Sequence, residues 1–176
     1  HPAAALAGVR LPLFSVRVGE SLAAEAIAVA PEGEVVAGVA LKAEWSHITY
    51  QQIRRVGVGG LLEWQTERVV TPVHSCDLTS AAKPQVCAFA PKTAGNYAVL
   101  ITATDSKGRL SRTSQSAVVV GPDRVVWRQD EERPPLLQAD REQYRPGDVA
   151  KIAVRNPAPG SVALLAVERA GMLQTQ

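Results

Sequence analysis

The segment from Asp140 to Leu173 reads DREQYRPGDVAKIAVRNPAPGSVALLAVERAGML and indicates an all-β chain. Near its start, residues 144–148 have the composition of a tight turn. Pro146 presets φ near −65°, and Gly147 can take the positive φ that the third position of a type II turn requires. We therefore expect the chain to reverse at this point and to enter a strand at Val149.

Two strands are predicted after that turn. Residues 149–155 alternate between two faces, and residues 156–160 (NPAPG) end the strand because proline has no N–H for the ladder. Residues 161–169 form a second run that is apolar on both faces, as in a buried strand. With a short third strand near Leu136, such a ribbon is marginal alone in water. We expect it to be the start of a domain that continues beyond this chain.

The ordered pattern in this segment resembles the start of the bait-region domain of bacterial alpha-2-macroglobulins, the large envelope proteins that trap proteases. The residues that carry the match are Tyr144, Pro146, Gly147, Asp148, Ala150, Val167, Glu168, Arg169 and Gly171. Residues 95–109 resemble the closing hairpin of the macroglobulin-like domain that precedes the bait region in that family. The resemblance covers roughly residues 13–173 and is most secure over residues 95–173.

The resemblance implies a non-catalytic structural role within a larger protease inhibitor. It implies a periplasmic or cell-envelope location, a signal or lipid-anchor segment upstream, and target proteases met through a bait stretch downstream. Members of the family often carry a Cys-x-Glu-Gln thioester. Neither Cys76 nor Cys87 fits that motif, since they are followed by Asp-Leu-Thr and Ala-Phe-Ala. We therefore expect no covalent chemistry in this chain.

The composition is that of an ordinary globular protein. Hydrophobic residues make up 46% and charged residues 20% of the 176 residues, and the formal net charge is +2. Basic and acidic residues are interspersed, which argues against nucleic acid or an anionic membrane as the main partner. The longest apolar runs fall short of the roughly 18 residues that a membrane-spanning helix needs.

About seven short strands separated by turn residues predict an antiparallel β-sandwich of the macroglobulin-like, fibronectin- or Ig-like kind, followed by an incomplete second β domain. We divide the chain into a loose lead-in (1–12), the sandwich (13–122), a connector (123–135) and the first strands of the bait-region or next macroglobulin-like domain (136–176). Within the sandwich, the predicted strands are 9–18, 22–29, 35–50, 61–73, 97–103 and 114–120. Residues 73–76 and 86–89 are predicted to form a further pair, joined by the two cysteines. Residues 22–29 also permit a helix, and residues 51–56 either continue the preceding strand or bend.

Cys76 and Cys87 flank a ten-residue polar loop. Cysteines at the two feet of a hairpin can approach within the roughly 4.4–6.8 Å Cα separation that a disulfide needs. We predict a structural disulfide, which implies an oxidising compartment. Two buried free thiols are the alternative.

No catalytic, cofactor-binding or metal-binding residue is predicted. His74 lies two residues from Cys76, as in a thiolate–histidine pair, but an orienting group and an oxyanion hole are lacking. The histidines and carboxylates show no metal-ligand spacing. The glycines of residues 57–60 lack the Lys-Ser/Thr and the helix of a phosphate loop. Arg54 and Arg55 beside them are interpreted as a solvated strand end or as a contact to a neighbouring domain.

Two further expectations concern partners. Trp127, in the connector, either fills the interface between the two units or belongs to a flanking strand. The open edges between Leu136 and Val167 invite strand-mediated self-association. An Ig-like adhesive or ligand-binding module of the cell envelope is the alternative function, and it would require Trp45, Trp64 and Tyr50 to be exposed together on one face.

Overall fold

The computed structural model describes residues 3–56, 58–121, 137–154, 166–168 and 172–175. Over these residues the chain is built of β-strands, with one short 3₁₀ turn at Val58–Gly60. Trp127 and the rest of the predicted connector lie outside the described residues. The strands are β1 (Leu6–Arg10), β2 (Ser15–Arg17), β3 (Leu22–Val29), β4 (Ala40–Val56), β5 (Leu62–Thr79), β6 (Gln85–Phe89), β7 (Gly95–Thr104), β8 (Leu110–Val120), β9 (Leu137–Ala139), β10 (Ile152–Val154), β11 (Ala166–Glu168) and β12 (Met172–Thr175).

The first eight strands form two packed sheets, which confirms the predicted β-sandwich. One sheet has three strands in the order β1-β3-β6, and the other has five in the order β2-β8-β7-β4-β5. Alternate residues of β3 and β7 are buried, as expected for strands with one face on the core. The core between the sheets contains Leu22, Trp45, Tyr97, Val99 and Ile101.

The helix alternative for residues 22–29 is excluded by their pairing as β3 with both β1 and β6. Four small or apolar side chains of β3 point into the sandwich at every second position: Leu22, Ala24, Ala26 and Ala28. Alanine favours a helix, but the period of two outweighs that local preference because only a strand buries all four together.

The amino-terminal residues differ from the expected loose lead-in. Residues 6–10 form β1, which pairs with β3 in the three-stranded sheet, and Ala3 and Ala5 are buried. The single edge strand expected over residues 9–18 is split at Pro12, where the chain passes from one sheet to the other. Its second half, β2, lies parallel to β8 in the five-stranded sheet. Proline interrupts the ladder, and the break allows the chain to cross the sandwich.

The predicted strand over residues 35–50 begins later and ends later. Gly38 adopts φ 79°, a left-handed conformation that interrupts a strand, so β4 starts at Ala40. Residues 51–56 continue β4, which resolves the alternative left open by the sequence. The strand expected to end at Val73 likewise continues without interruption to Thr79 as β5.

The carboxy-terminal strands form two separate two-stranded ribbons, β9 with β10 and β11 with β12, both antiparallel. The first of them contacts the sandwich, because the Phe14 backbone N–H donates to the Asp140 carbonyl at 3.0 Å. No described helix has the length and apolar character needed to cross a membrane.

Candidate functional site

The two cysteines are joined in a disulfide, with Cα atoms 5.8 Å apart. The expected position at the feet of one hairpin was wrong. Cys76 lies in β5, an edge strand of the five-stranded sheet, and Cys87 lies in β6, an edge strand of the three-stranded sheet. The covalent bond therefore links the two sheets along one open side of the sandwich.

Aromatic side chains surround this bond on the core side. Trp45 is fully buried, and its indole N–H donates to the Cys87 carbonyl at 3.3 Å. The Phe89 ring lies 5.6 Å from the Trp45 ring and is stacked on His74 at 5.3 Å between centroids. Burial of these rings and the disulfide together fix the spacing of β5 and β6.

His74 and the two cysteines place ligand atoms within 4.8 Å of one another. His74 Nε2 lies 3.5 Å from Cys76 Sγ. A cysteine binds a metal ion or attacks a carbonyl carbon only as a thiolate. Neither sulfur is a thiolate here, because the two are bonded to each other. The cluster, in this form, offers a single imidazole as a ligand and no thiolate nucleophile.

A second polar centre lies at Asp105, in the hairpin between β7 and β8. Its carboxylate accepts hydrogen bonds from the backbone N–H groups of Ala4, Lys107 and Arg109 and from the Arg109 guanidinium, at 2.8–3.0 Å. The Ala4 N–H bond is the largest cause that holds the pKa of Asp105 well below its usual value, and the Arg109 and Lys107 bonds add to it against the opposing effect of burial. This carboxylate ties the amino-terminal segment to a hairpin a hundred residues away.

The third centre is the turn motif at Tyr144, Pro146, Gly147 and Asp148. Gly147 has φ 94°, and the Asp148 carboxylate accepts from the Arg145 N–H at 2.9 Å while the Asp148 N–H donates to the Arg145 carbonyl at 3.0 Å. These are the bonds of a closed turn with its glycine at the position that requires positive φ.

Tyr144 connects this turn to Asp140, which is only 3% exposed. The Tyr144 hydroxyl donates to Asp140 Oδ1 at 2.5 Å, and the Lys151 N–H donates to the same oxygen at 3.1 Å. The Tyr144 bond is the main reason that the pKa of Asp140 is lowered, and it raises the pKa of Tyr144 in turn. Asp140 therefore joins the turn, the residue that precedes β10 and, through its carbonyl, Phe14 of the sandwich.

A cleft of about 440 Å³ opens at one end of the sandwich. Its ionisable lining residues are Lys42 and Asp77, and the hydrogen bond from Lys42 to Glu44 raises the pKa of Lys42. Lys42 is paired with the Glu44 carboxylate at 2.9 Å, and the lining residues include no histidine or cysteine, so the cleft shows no arrangement of a general acid and base.

The last feature is a long β-hairpin that extends beyond the sandwich. β4 pairs with β7 only as far as Ile48, whereas its pairing with β5 continues to Val56. Residues 49–56 and 58–69, which we name the arm, thus belong to a two-stranded ribbon that projects roughly 25 Å, at about 3.3 Å per residue. The sequence predicts two strands on either side of the glycines at 57–60, but it does not predict that this hairpin extends beyond the sandwich.

The aromatic residues do not assemble into one exposed platform. Trp45 is 0% exposed in the core, whereas Trp64 is 63% exposed on the arm. The condition set for an adhesive or sugar-binding face, with both tryptophans and Tyr50 exposed together, is not met.

Comparison with known proteins confirms the resemblance to bacterial alpha-2-macroglobulins. No family model matches the chain. An alpha-2-macroglobulin homolog from Nostoc sp. is 23% identical over 144 residues, which cover 82% of this chain and 8% of that protein. The chain therefore spans a small part of the relative's length.

Two solved structures share the fold. The native conformation of the E. coli alpha-2-macroglobulin superposes with a TM-score of 0.53 at 18% identity, over 100% of this chain and 12% of that one. The Salmonella alpha-2-macroglobulin reacted with methylamine gives a TM-score of 0.51 at 19% identity, over 99% of this chain and 12% of that one.

Proposed function

We propose that this chain, which is related to the bacterial alpha-2-macroglobulins, is a non-catalytic structural segment of a larger protease-trapping inhibitor. The observation that carries the proposal is the sequence match to the Nostoc relative, which extends over 82% of this chain. Because the match occupies 8% of that relative, we infer a longer protein, here called the parent, in which this chain is one part.

In this proposal, the macroglobulin-like sandwich ends at residue 122 and includes β1, so it begins before residue 13. Residues 123–135 are a connector with Trp127 at the interface, and residues 136–176 begin the bait-region or next macroglobulin-like domain. The hydrogen bond between Phe14 and Asp140 supports a direct contact between the first and second units. The sandwich then serves as the fixed base from which the bait segment extends.

The role of this segment is mechanical. Cleavage of the bait in the parent changes the arrangement of the domains around the attacking protease, and the sandwich transmits that change. Two features suit a rigid transmitter: the disulfide between the sheets and the hydrogen bonds that converge on Asp105 and Asp140. The location implied is the periplasm or cell envelope, an oxidising setting in which a disulfide persists.

The test compares the parent and the isolated chain against a panel of endopeptidases, with residual cleavage of a protein substrate as the readout. We expect the parent to inhibit and the isolated chain to leave protease activity unchanged at equal molar concentration. Inhibition by the isolated chain would overturn the proposal that this segment is only structural. A parent without inhibitory activity would overturn the proposed function.

A matched pair of parent variants tests the scaffold role. Gly95→Ala places a Cβ 2.4 Å from the His47 ring and disturbs the sandwich, whereas Gly108→Ala meets no atom within 4 Å. We expect Gly95→Ala to reduce inhibition at temperatures where Gly108→Ala retains it. If the Gly95→Ala parent inhibits as well as the Gly108→Ala parent although its sandwich is unfolded, the scaffold role is contradicted.

A further inference from the structure

The two faces of the arm differ in chemical character. In an antiparallel ribbon, directly opposed residues share a face. Val56 is opposed to Leu62, and Arg54 is opposed to Trp64. These four side chains therefore lie side by side on one face, which we name the tryptophan face.

The apolar side chains of this face are largely solvated. Val56 is 70% exposed, and Leu62 and Trp64 are each 63% exposed. A contiguous apolar patch of this kind on a soluble protein is often an interaction site. A two-stranded ribbon is also marginally stable in water without a further layer. Both observations indicate that another surface covers the tryptophan face.

The charges of the arm indicate the chemical character of the surface that covers the tryptophan face. The tryptophan face carries Arg54, whose guanidinium lies 4.5 Å from the centroid of the Trp64 ring, and Arg68, which is opposed to Tyr50. Between the Tyr50–Arg68 and Val56–Leu62 pairs, no described position on this face is a carboxylate. The acids of the arm, Glu63 and Glu67, stand at the opposite register, on the other face.

The opposite face carries charges of both signs. Arg55 is opposed to Glu63 and lies 4.0 Å from Glu67. Arg55 thus has two acids on its own face, whereas the two arginines of the tryptophan face have no acid on their side of the ribbon. Tryptophan and arginine are the residue types that contribute most to binding at protein interfaces.

We propose that the tryptophan face docks on a part of the parent outside these 176 residues, onto an apolar surface flanked by aspartate or glutamate carboxylates. The inference rests on the proposed function only in assuming that a parent exists. Three side chains of this size present on the order of 400 Å², about half of the roughly 800 Å² per partner that a stable complex between separate molecules buries. Within one chain, a small patch suffices because the effective concentration of the partner surface is high.

The primary test is hydrogen–deuterium exchange of the arm in the intact parent. Trp64→Thr removes the central apolar contact, and Gln65→Thr, on the opposite face, is the matched control. We expect amides of residues 49–69 to exchange at least tenfold faster in the Trp64→Thr parent than in the wild-type parent, and the Gln65→Thr parent to exchange like the wild type. Equal rates in all three proteins would overturn the proposal.

A second measurement identifies the covering surface. Arg68→Lys places an amine on the tryptophan face, and carbodiimide then couples it to a carboxylate in direct contact. We expect the Lys introduced at position 68 to be crosslinked to an acidic peptide from outside residues 1–176 of the same parent molecule. A crosslink to a second copy of the parent, or none outside residues 1–176, would overturn the proposal. Loss of protease inhibition with the crosslink retained would count against the proposed function alone.

Discussion

Cys76 and Cys87 are eleven residues apart in sequence but belong to different sheets, and their disulfide closes the side of the sandwich where β5 and β6 are edge strands. The two strands share few other contacts, because the chain between them crosses from one sheet to the other. The covalent bond therefore supplies a connection that hydrogen-bond ladders cannot provide between sheets. We therefore expect the stability of this side of the fold to depend on the disulfide.

We expect the double variant Cys76→Ala/Cys87→Ala to lose about 3 kcal/mol of unfolding free energy, the loop-closure contribution of a bridge of this length. Urea unfolding of the variant and of the oxidised wild type measures the difference. The wild type treated with a phosphine reductant is the control and should lose a similar amount. A variant within about 0.5 kcal/mol of the oxidised wild type would contradict a structural role for the bond.

Gly95→Ala should destabilise the sandwich by about 2–5 kcal/mol, because the new Cβ both clashes and requires an unfavourable φ. Gly95 has φ 144°, and the added atom would lie 2.4 Å from His47 Nε2, whose ring is stacked on Tyr97. Gly108→Ala is the control at φ 74° with open space around it, and it should cost about 1–2 kcal/mol. Thermal or urea unfolding separates the two, and equal losses would show that the contact with His47 is unimportant.

Asp105→Asn should lower the melting temperature at pH 7 and reduce the acid sensitivity of the fold. The folded-state pKa of Asp105 is depressed, foremost by the Ala4 N–H, so its contribution to stability is complete above the ordinary aspartate pKa and is lost as pH falls below it. The difference between wild type and variant should therefore shrink from pH 7 to about pH 2.5. Asp77→Asn, on an exposed position of β5, is the control, and parallel melting curves for wild type and Asp105→Asn across pH would refute the assignment.

Tyr144→Phe should weaken the β9–β10 ribbon, since it removes a hydrogen bond to the charged Asp140. Hydrogen exchange of residues 137–154 measures this loss, and exchange within β7 serves as the internal reference. Unchanged exchange of residues 137–154 would mean that the hydroxyl does not hold the turn.

The same tyrosine offers a spectroscopic test. The hydrogen bond to Asp140 raises the pKa of Tyr144, so its contribution to stability is complete below the ordinary tyrosine pKa and is lost as pH rises above it. The tyrosinate absorbance of the wild type minus that of Tyr144→Phe should therefore titrate above pH 10. A difference curve centred at or below that value would contradict the bond.

The sequence by itself determined the properties that depend on near neighbours in the chain. Alternation along residues 97–103 predicted which side chains of β7 are buried, and proline and glycine at positions 146 and 147 predicted the turn after Tyr144. The ordered residues of the last forty positions carried the resemblance to bacterial alpha-2-macroglobulins. Each of these depends on backbone preferences or on a period of two, which are local properties of the chain.

Only the tertiary structure decided which strands are neighbours. The alternation of β3 is compatible with a place in either sheet. The sequence of residues 9–18 likewise does not predict that the chain passes from one sheet to the other at Pro12. Asp105 could be recognised as a turn residue, but its bond to Ala4 joins positions 101 residues apart. The arm, likewise, exists because β7 ends its pairing with β4 at Ile48 while β5 continues. Strand pairing depends on contacts between distant segments. The alternation of apolar and polar residues predicts which face of a strand is buried, but it does not predict which segment covers that face.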